Sequence, residues 1–329
     1  MRVVAAPDKL RGTATAADVA AAVGRAARAS GWRCDEVPMA DGGEGTLAAL
    51  GGANRRTLVT GPLGAPVEAE WRLDGRTAVI EMATASGLAL AGGSDDNDPV
   101  AASTAGTGEL IAAAVDAGAN RVIVGVGGSA TTDGGLAALR ALHPLGRLRG
   151  IDLVVACDVR TGFLDAASTF APQKGATPAQ VELLRRRLER LAQVYLDEHG
   201  VDVLDLEGAG AAGGLAGGLA ACGARLVPGF DLVAEEVGLD DALDGADLVI
   251  TAEGFLDEQS FEGKVVGGVA AYAAAAGVPV VAIAGEVFDG VEDRIPTVSL
   301  VERFGEARAR TETLACIEAA TAEVLADRA

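Results

Sequence analysis

Between residues 121 and 135 the chain reads RVIVGVGGSATTDGG, an apolar run that breaks into glycines, small hydroxyls and one acid. Val122, Ile123, Val124 and Val126 are β-branched and do not alternate with polar residues, which predicts a strand covered on both faces in a parallel sheet. Gly125, Gly127 and Gly128 then permit a sharp turn and close approach of the backbone to a ligand. Leu136, Ala137, Leu139 and Leu142 start a helix whose first N–H groups would face an anion, with hydroxyls from Ser129, Thr131 and Thr132. A plain strand-to-helix turn is the alternative, but such a turn seldom needs so many glycines in succession.

The same alternation of strand and helix runs along the rest of the chain. MRVVAAPDKLRG opens with an apolar strand ending at Asp8; Thr13 or Thr15 then caps a helix with Val19, Ala22, Val23 and Ala26 on its apolar face. A strand over 34–39 leads into ADGGEGT, a glycine loop carrying Asp41 and Glu44, and a short helix over 47–50. Residues 57–82 alternate and carry turn signals at Gly61-Pro62, Gly64 and Asp74-Gly75, an antiparallel pattern that marks the start of a second domain. Residues 83–98 read as a polar connection, 104–118 as a helix, and 152–157 as a strand ending at Asp158. A long helix is expected from Pro178 to about His199, and Leu215 and Leu219 give the glycine-rich stretch 208–223 helical spacing. Strands over 247–251, 278–284 and 297–301 and a helix from 308 to about 325 complete an α/β pattern with parallel sheets. Asp8, Asp41, Asp133, Asp158 and Glu253 all fall at or just past strand ends, where such sheets bind ligands.

Bulk composition narrows the function. A chain of 329 residues, half of them apolar, can bury a substantial core and suggests two domains. The start shows no basic segment followed by an apolar one, and no apolar run approaches the roughly 20 residues of a membrane span, so a cytoplasmic location is expected. A formal net charge of −20 and only 3% aromatic residues exclude nucleic acid and anionic membranes as partners. An anionic substrate meets the same repulsion, so a phosphate site here needs local cations and a divalent metal. The only lysines, Lys9, Lys174 and Lys264, each stand within a few residues of a glycine, in DKLRG, PQKGA and FEGKVV. Cys34, Cys157, Cys222 and Cys316 are far apart without a C-x-x-C pair, which argues against zinc and disulfides and predicts buried thiols.

His143 and His199 are the only histidines and neither lies in a glycine loop, which removes a Ser-His-Asp triad and a histidine-ligated metal. Carboxylates, a few cations and glycine loops suit phosphoryl transfer, with Mg²⁺ on carboxylate and phosphate oxygens. There is no G-x-x-x-x-G-K-[ST]. Gly125-x-Gly127-x-x-Ala130 has the form of a dinucleotide fingerprint and keeps an NAD(P)-dependent dehydrogenase as a rival, although Asp158 lies farther on than the usual spacing of about 20 residues.

APDKLRG, MADGGEGT, TGPLGAPV, AVIEMATASGL, GTGELI, GVGGSATTDGG, VACDV, FAPQKGA, GAGAAGGL, ITAEGFLDEQS and EGK occur in this order and resemble the glycerate kinases of the two-domain α/β type, the bacterial glycerate 2-kinase group. The resemblance covers nearly the whole chain. It implies two α/β domains with mainly parallel sheets: a doubly wound, Rossmann-like or flavodoxin-like domain from 1–65 plus 228–329, and an inserted domain over 66–227 carrying the GVGGSATTDGG loop. It further implies a site in the cleft between them, where ATP with Mg²⁺ phosphorylates D-glycerate, giving 2-phosphoglycerate by direct in-line transfer. A homodimer is compatible with the sequence, which does not fix the oligomeric state.

The positions matching the family's motifs are Asp8, Arg11, Asp41, Glu44, Gly127, Gly128, Ser129, Asp133, Asp158, Lys174, Glu253, Asp257, Gln259 and Lys264. Asp158 or Asp133 is assigned to the glycerate hydroxyl proton and to the metal, and Lys174 or Lys264 to the transferring phosphate. Lys9 and Arg11 clamp the glycerate carboxylate, with Asp8, Asp41 and Glu44 on the substrate side. Gly127, Gly128, Ser129, Glu253, Asp257 and Gln259 fall to the nucleotide. The chain departs from the family at Lys9, Arg11, Thr132 and Phe255, where a small residue, lysine, asparagine and a basic residue are usual. RTGFLDAAS replaces the segment that usually follows VACDV, and residues 141–150 are shortened. These changes leave open a relative with a shifted substrate or one that binds nucleotide as a sensor.

Overall fold

The computed structural model describes every residue except 11, 262, 289, 292, 293 and 329. The chain divides into two compact units, one of residues 1–41, 48–50 and 230–329 and the other of 42–47 and 51–229. The strands are, in chain order, β1 Arg2–Ala5, β2 Arg33–Glu36, β3 Arg55–Thr60, β4 Pro66–Asp74, β5 Thr77–Glu81 and β6 Arg121–Gly125. β7 Asp152–Cys157, β8 Arg225–Pro228, β9 Leu248–Leu256, β10 Val280–Val287 and β11 Thr297–Ser299 follow.

In the first unit the sheet order is β11-β10-β9-β1-β2, and every pairing is parallel. Val3 and Ala5 of β1 pack in one core with residues of the helices Ala16–Ala29 and Thr313–Ala326, whereas Val4 packs in another with the helix Val265–Ala276. Both faces are therefore covered, which is why these strands read as unbroken apolar runs. Of the two candidate caps, Thr15 starts the first helix: its side chain accepts from Asp18 N while Asp18 returns a bond to the Thr15 backbone. The chain leaves β1 to one side for β2 and returns on the other as β9. The strand order thus reverses between β1 and β9, and a crevice opens there at the carboxyl ends.

The second unit carries a six-stranded sheet in the order β3-β4-β5-β6-β7-β8. β3, β4 and β5 pair antiparallel, as the turn signals predict, and β5 to β8 pair parallel. Its core joins Ile80, Val122, Val124 and Val155 to Phe163, Leu184, Leu188 and Tyr195. The helix Pro178–His199 opens with a capping box between Thr177 and Gln180 and ends at Gly200 in the left-handed region. The glycine-rich stretch is buried packing and not a linker. Gly213 sits at φ 69°, and a Cβ there would strike the carbonyl oxygen of Thr131.

Several elements differ from expectation. The strand expected over 34–39 ends at Glu36, because Pro7 has no N–H with which β1 could continue the ladder. β9 runs past Thr251 to Leu256, since β10 stays paired with it that far. The helix expected over 308–325 is two, Glu306–Thr311 and Thr313–Ala326, broken where Glu312 adopts φ −122° and ψ 36°. Residues 83–98 contain the helical turns Ala83–Ser86 and Ala89–Ala91. β8 and the helices Asp165–Phe170, Gly229–Val237 and Leu239–Leu243 had no expectation, being too short to display a period. Cys157 and Cys316 are buried as expected, whereas Cys34 and Cys222 are only half-buried.

Gly213→Ala adds a left-handed penalty to a backbone clash, and should destabilise the protein by about 2–4 kcal/mol. Urea unfolding followed by circular dichroism measures it.

Candidate active site

A cleft of about 210 Å³ opens in the first unit, lined by Asp8, Lys9, Asp41, Glu253, Gly254, Phe255, Asp257 and Lys264. Each lining residue is placed by a strand end or a helix start. Asp8 and Lys9 follow β1, held by Asp8 N donating to the Ala252 carbonyl of β9 at 2.8 Å. Asp41 follows β2, and Glu253 to Phe255 belong to the last part of β9. Asp257 Oδ1 accepts from Ser260 N at 3.0 Å and so starts the helical turn Glu258–Phe261. Lys264 caps the helix Val265–Ala276. This is the switch point between β1 and β9.

The cleft's electrostatics combine four carboxylates with two ammonium groups. Lys9 Nζ stands 3.7 Å from Asp8 Oδ1, and Asp8 Oδ1 also accepts from Lys9 N at 2.7 Å. Burial raises the pKa of the Glu253 carboxyl, with Asp8 and Asp257 adding to the effect and Ser260 and Lys264 opposing it. Glu253 Oε2 is buried without a hydrogen-bond partner. Phe255 is 48% exposed, and its ring lies 6.1 Å from that of Phe288.

A second constellation lies in the second unit, around the loop that follows β6. Leu88 N donates to Gly128 O at 2.8 Å and Ala130 N to Ser86 O at 3.0 Å, so the loop is tied to the segment after β5. On its other side Gly134 N donates to Gly213 O at 3.0 Å, and Tyr195 Oη to Gly134 O at 2.9 Å. Glu44 and Gly43 press against Gly127 and Gly128: a Cβ on Gly127 would stand 2.8 Å from Gly43 Cα, and one on Gly128 3.0 Å from Glu44 Oε1. Glu81 Oε1 in turn holds the Glu44 loop by accepting from Gly45 N at 2.9 Å and Leu47 N at 2.7 Å.

Asp133 and Lys174 brace this loop from within. Asp133 Oδ2 accepts from Thr104 N at 3.0 Å, its Oδ1 accepts from Gly135 N at 3.0 Å, and Thr104 Oγ1 donates to the same carboxylate at 2.9 Å. Burial pushes the Asp133 carboxyl up, against those bonds. Lys174 is 2% exposed, and its Nζ donates to Ser129 Oγ at 2.8 Å and Thr131 O at 2.6 Å. Burial lowers its pKa to about 7, with Asp133 opposing.

The structure therefore brings Asp8, Lys9, Asp41, Glu253, Asp257 and Lys264 together in one unit, and Glu44, Gly127, Gly128, Ser129, Asp133 and Lys174 in the other. Asp158 is exposed just past β7, and Gln259 is exposed on the turn Glu258–Phe261. Arg11 lies outside the described residues. Among the described residues no three carboxylate, imidazole or thiol groups converge to hold a metal ion, and no helix is long and apolar enough to cross a membrane. Sequence reasoning missed Thr104 and Glu81. Thr104 looked like an ordinary helix start, and only the fold shows that its hydroxyl also accepts from Ala138 N at 3.1 Å.

Comparison with known proteins gives the family. The model of the glycerate kinase family matches residues 3–146 and 143–328. A protein of Bacillus subtilis (strain 168) named glycerate kinase is 41% identical over 87% of this chain and 85% of its own length. One of Escherichia coli (strain K12) named glycerate 2-kinase is 40% identical over 88% of this chain and 87% of its own. The crystal structure of a Salmonella typhimurium LT2 protein assigned as glycerate kinase 2 superposes with a TM-score of 0.84 at 36% identity, covering 99% of this chain and 98% of that one. The dehydrogenase alternative is left without support.

Lys174 also makes stability depend on pH. Between its folded value of about 7 and the ordinary lysine value of 10.5 the unfolded chain binds more protons, so folding stability gains as pH rises through that window. The stability difference between wild type and Lys174→Met should therefore move in favour of wild type from pH 7 upward, read by urea titration at each pH.

Proposed function

Because the chain belongs to the glycerate kinase family, we propose that it transfers the γ-phosphoryl group of ATP to the 2-hydroxyl of D-glycerate, giving 2-phosphoglycerate. The observation that carries this reading is the cleft at the β1/β9 switch point, where Lys9 and Lys264 offer the only two lysine charges outside the buried Lys174. In a chain of net charge −20, two ammonium groups in one cleft are an investment in an anionic ligand. Lys9 takes the glycerate carboxylate. Lys264, at the N-terminus of a twelve-residue helix, adds its charge to the helix dipole and takes phosphate oxygens.

In the second unit, backbone groups of Gly127 and Gly128 and the Ser129 hydroxyl are assigned to phosphate oxygens of the nucleotide. Asp158, exposed at the end of β7, accepts the proton of the attacking hydroxyl. Asp133 is assigned to positioning, because both of its oxygens already accept bonds from Thr104 and Gly135.

Mg²⁺ fits the donor set of the cleft. Its orphaned Glu253 Oε2, raised in proton affinity among Asp8 and Asp257, is the kind of hard oxygen that a cation would satisfy. Glu253 with Asp8 or Asp257 would hold the ion, leaving its other positions to phosphate and water, and the ion would neutralise charge on the transferring phosphate. A second reading, a shifted acid substrate, is favoured by one observation. Phe255 presents an exposed ring to the cleft where the family usually has a basic residue.

Phosphorus NMR of the protein with ATP, Mg²⁺ and D-glycerate should show a 2-phosphoglycerate resonance that is absent without glycerate and reduced at least 10²-fold in rate by Asp158→Asn. ATP turnover only with acids bearing an apolar 3-substituent would instead establish the second reading.

A further inference from the structure

Lys174 ends the helical turn Pro172–Lys174, and both acceptors of its Nζ belong to the glycine loop. Its Nζ bonds Ser129 Oγ and Thr131 O, while Asn97 Nδ2 donates to both the Lys174 carbonyl at 2.9 Å and Ala130 O at 3.1 Å. One amine and one amide thus stitch residues 129–131 to the turn. With 2% of its surface exposed, Lys174 is sealed beneath the loop, whereas Ser129 keeps 8% open. A phosphate contact by Lys174 would require that packing to open.

We infer that Lys174 is a positioning residue that acts on the bound nucleotide through Ser129, its charged form donating to Ser129 Oγ and so freeing the Ser129 O–H to donate to an anionic oxygen. The chemistry follows from the donor inventory. An ammonium has three N–H donors and no acceptor, so beside it Ser129 Oγ must accept, and the hydroxyl proton points elsewhere. A neutral amine has two N–H donors and a lone pair; with one N–H on the Thr131 carbonyl, it gains an acceptor for the Ser129 hydroxyl proton that the ammonium lacks, and so can draw that proton inward. Protonation of Lys174 therefore fixes Ser129 as a donor to the outside, and loss of that proton releases the constraint. Asp133 is the charged group whose field reaches Lys174, and it favours the ammonium; burial favours the amine and brings the two forms close to balance near neutral pH. A bound anion tips that balance toward the ammonium, and by linkage nucleotide binding takes up a proton at this site.

The inference rests on the assignment of the Gly127–Ser129 loop to phosphate, and the test separates the two. Lys9, Lys174 and Lys264 are the only lysines, so ¹³Cε-lysine NMR of the intact wild-type protein gives three resonances, with Lys9→Arg and Lys264→Arg spectra assigning Lys174 by elimination. One resonance should titrate near pH 7, and ATP with Mg²⁺ should move that titration up by at least one pH unit. The KM for ATP should rise about tenfold between pH 6 and 8 with kcat changing less than threefold. In Ser129→Ala the KM should be high at pH 6 and lose its pH dependence, while Lys174 titrates in the free protein as before.

Titration of Lys174 near its ordinary value of 10.5 would overturn the inference. So would Ser129→Ala weakening ATP equally at every pH, which would leave the loop as a phosphate site without Lys174 control. An unchanged KM for both ATP and glycerate in Ser129→Ala would overturn the loop assignment itself. A kcat loss of 10³ in Lys174→Arg at unchanged KM would show direct contact with phosphate instead.

Discussion

A parallel sheet covered on both faces leaves no room along its strands for polar side chains, and that constraint arranges everything else in this protein. Val3, Val4, Ala5, Leu248, Val249 and Ile250 are all fully buried, so charge can enter only where the strands stop. Asp8, Lys9, Asp41 and Glu253 stand where β1, β2 and β9 run out, and strand order decides which of these ends face a common space. The reversal between β1 and β9 supplies that space. In the second unit the same rule applies after β6, where the sheet gives way to a loop built from glycine backbone and hydroxyls.

The two constellations handle desolvation differently. In the cleft, carboxylates and ammonium groups share a solvent-facing space, and Asp8 is the member most removed from water. Around the β6 loop the charges are taken inside: Asp133 is answered by three hydrogen-bond donors and Lys174 by two acceptors. A buried ion is tolerated when its bonds are made, and each of these bonds also fixes a loop atom in place. Rigidity of the glycine loop thus comes from its charged neighbours, since its own residues have the least intrinsic stiffness of any.

Much of this was legible in the sequence. Apolar runs at 122–126 and 153–157 read as parallel strands, and the long helix expected from Pro178 to about His199 is found with those bounds. The acids at strand ends and the three lysines beside glycines were visible as an unusual placement of charge. Burial of Lys174 was not, because PQKGA looks like an exposed turn and only packing against the residue 129–131 segment seals it. Thr104 and Glu81 were hidden for a related reason: their partners, Asp133 and Gly45, lie 29 and 36 residues away, beyond the reach of any local pattern. Short elements such as β8 and the helix Asp165–Phe170 carry too few residues for a period to show.

The placement of β1 in the middle of its sheet carries a consequence for biosynthesis. Val3 pairs with Cys34 on one side and with Leu248 on the other, so the N-terminal strand leaves the ribosome long before one of its two neighbours exists. The second unit has all its strands once residue 228 has emerged, and its sheet can close while the first unit still waits for β9, β10 and β11. During that interval the apolar strand β1 keeps one edge unpaired, with only the charged strand β2 beside it, a state prone to pairing with another chain. β1 is thus paired on its second edge only when β9 arrives, more than two hundred residues after β2 has paired with the first.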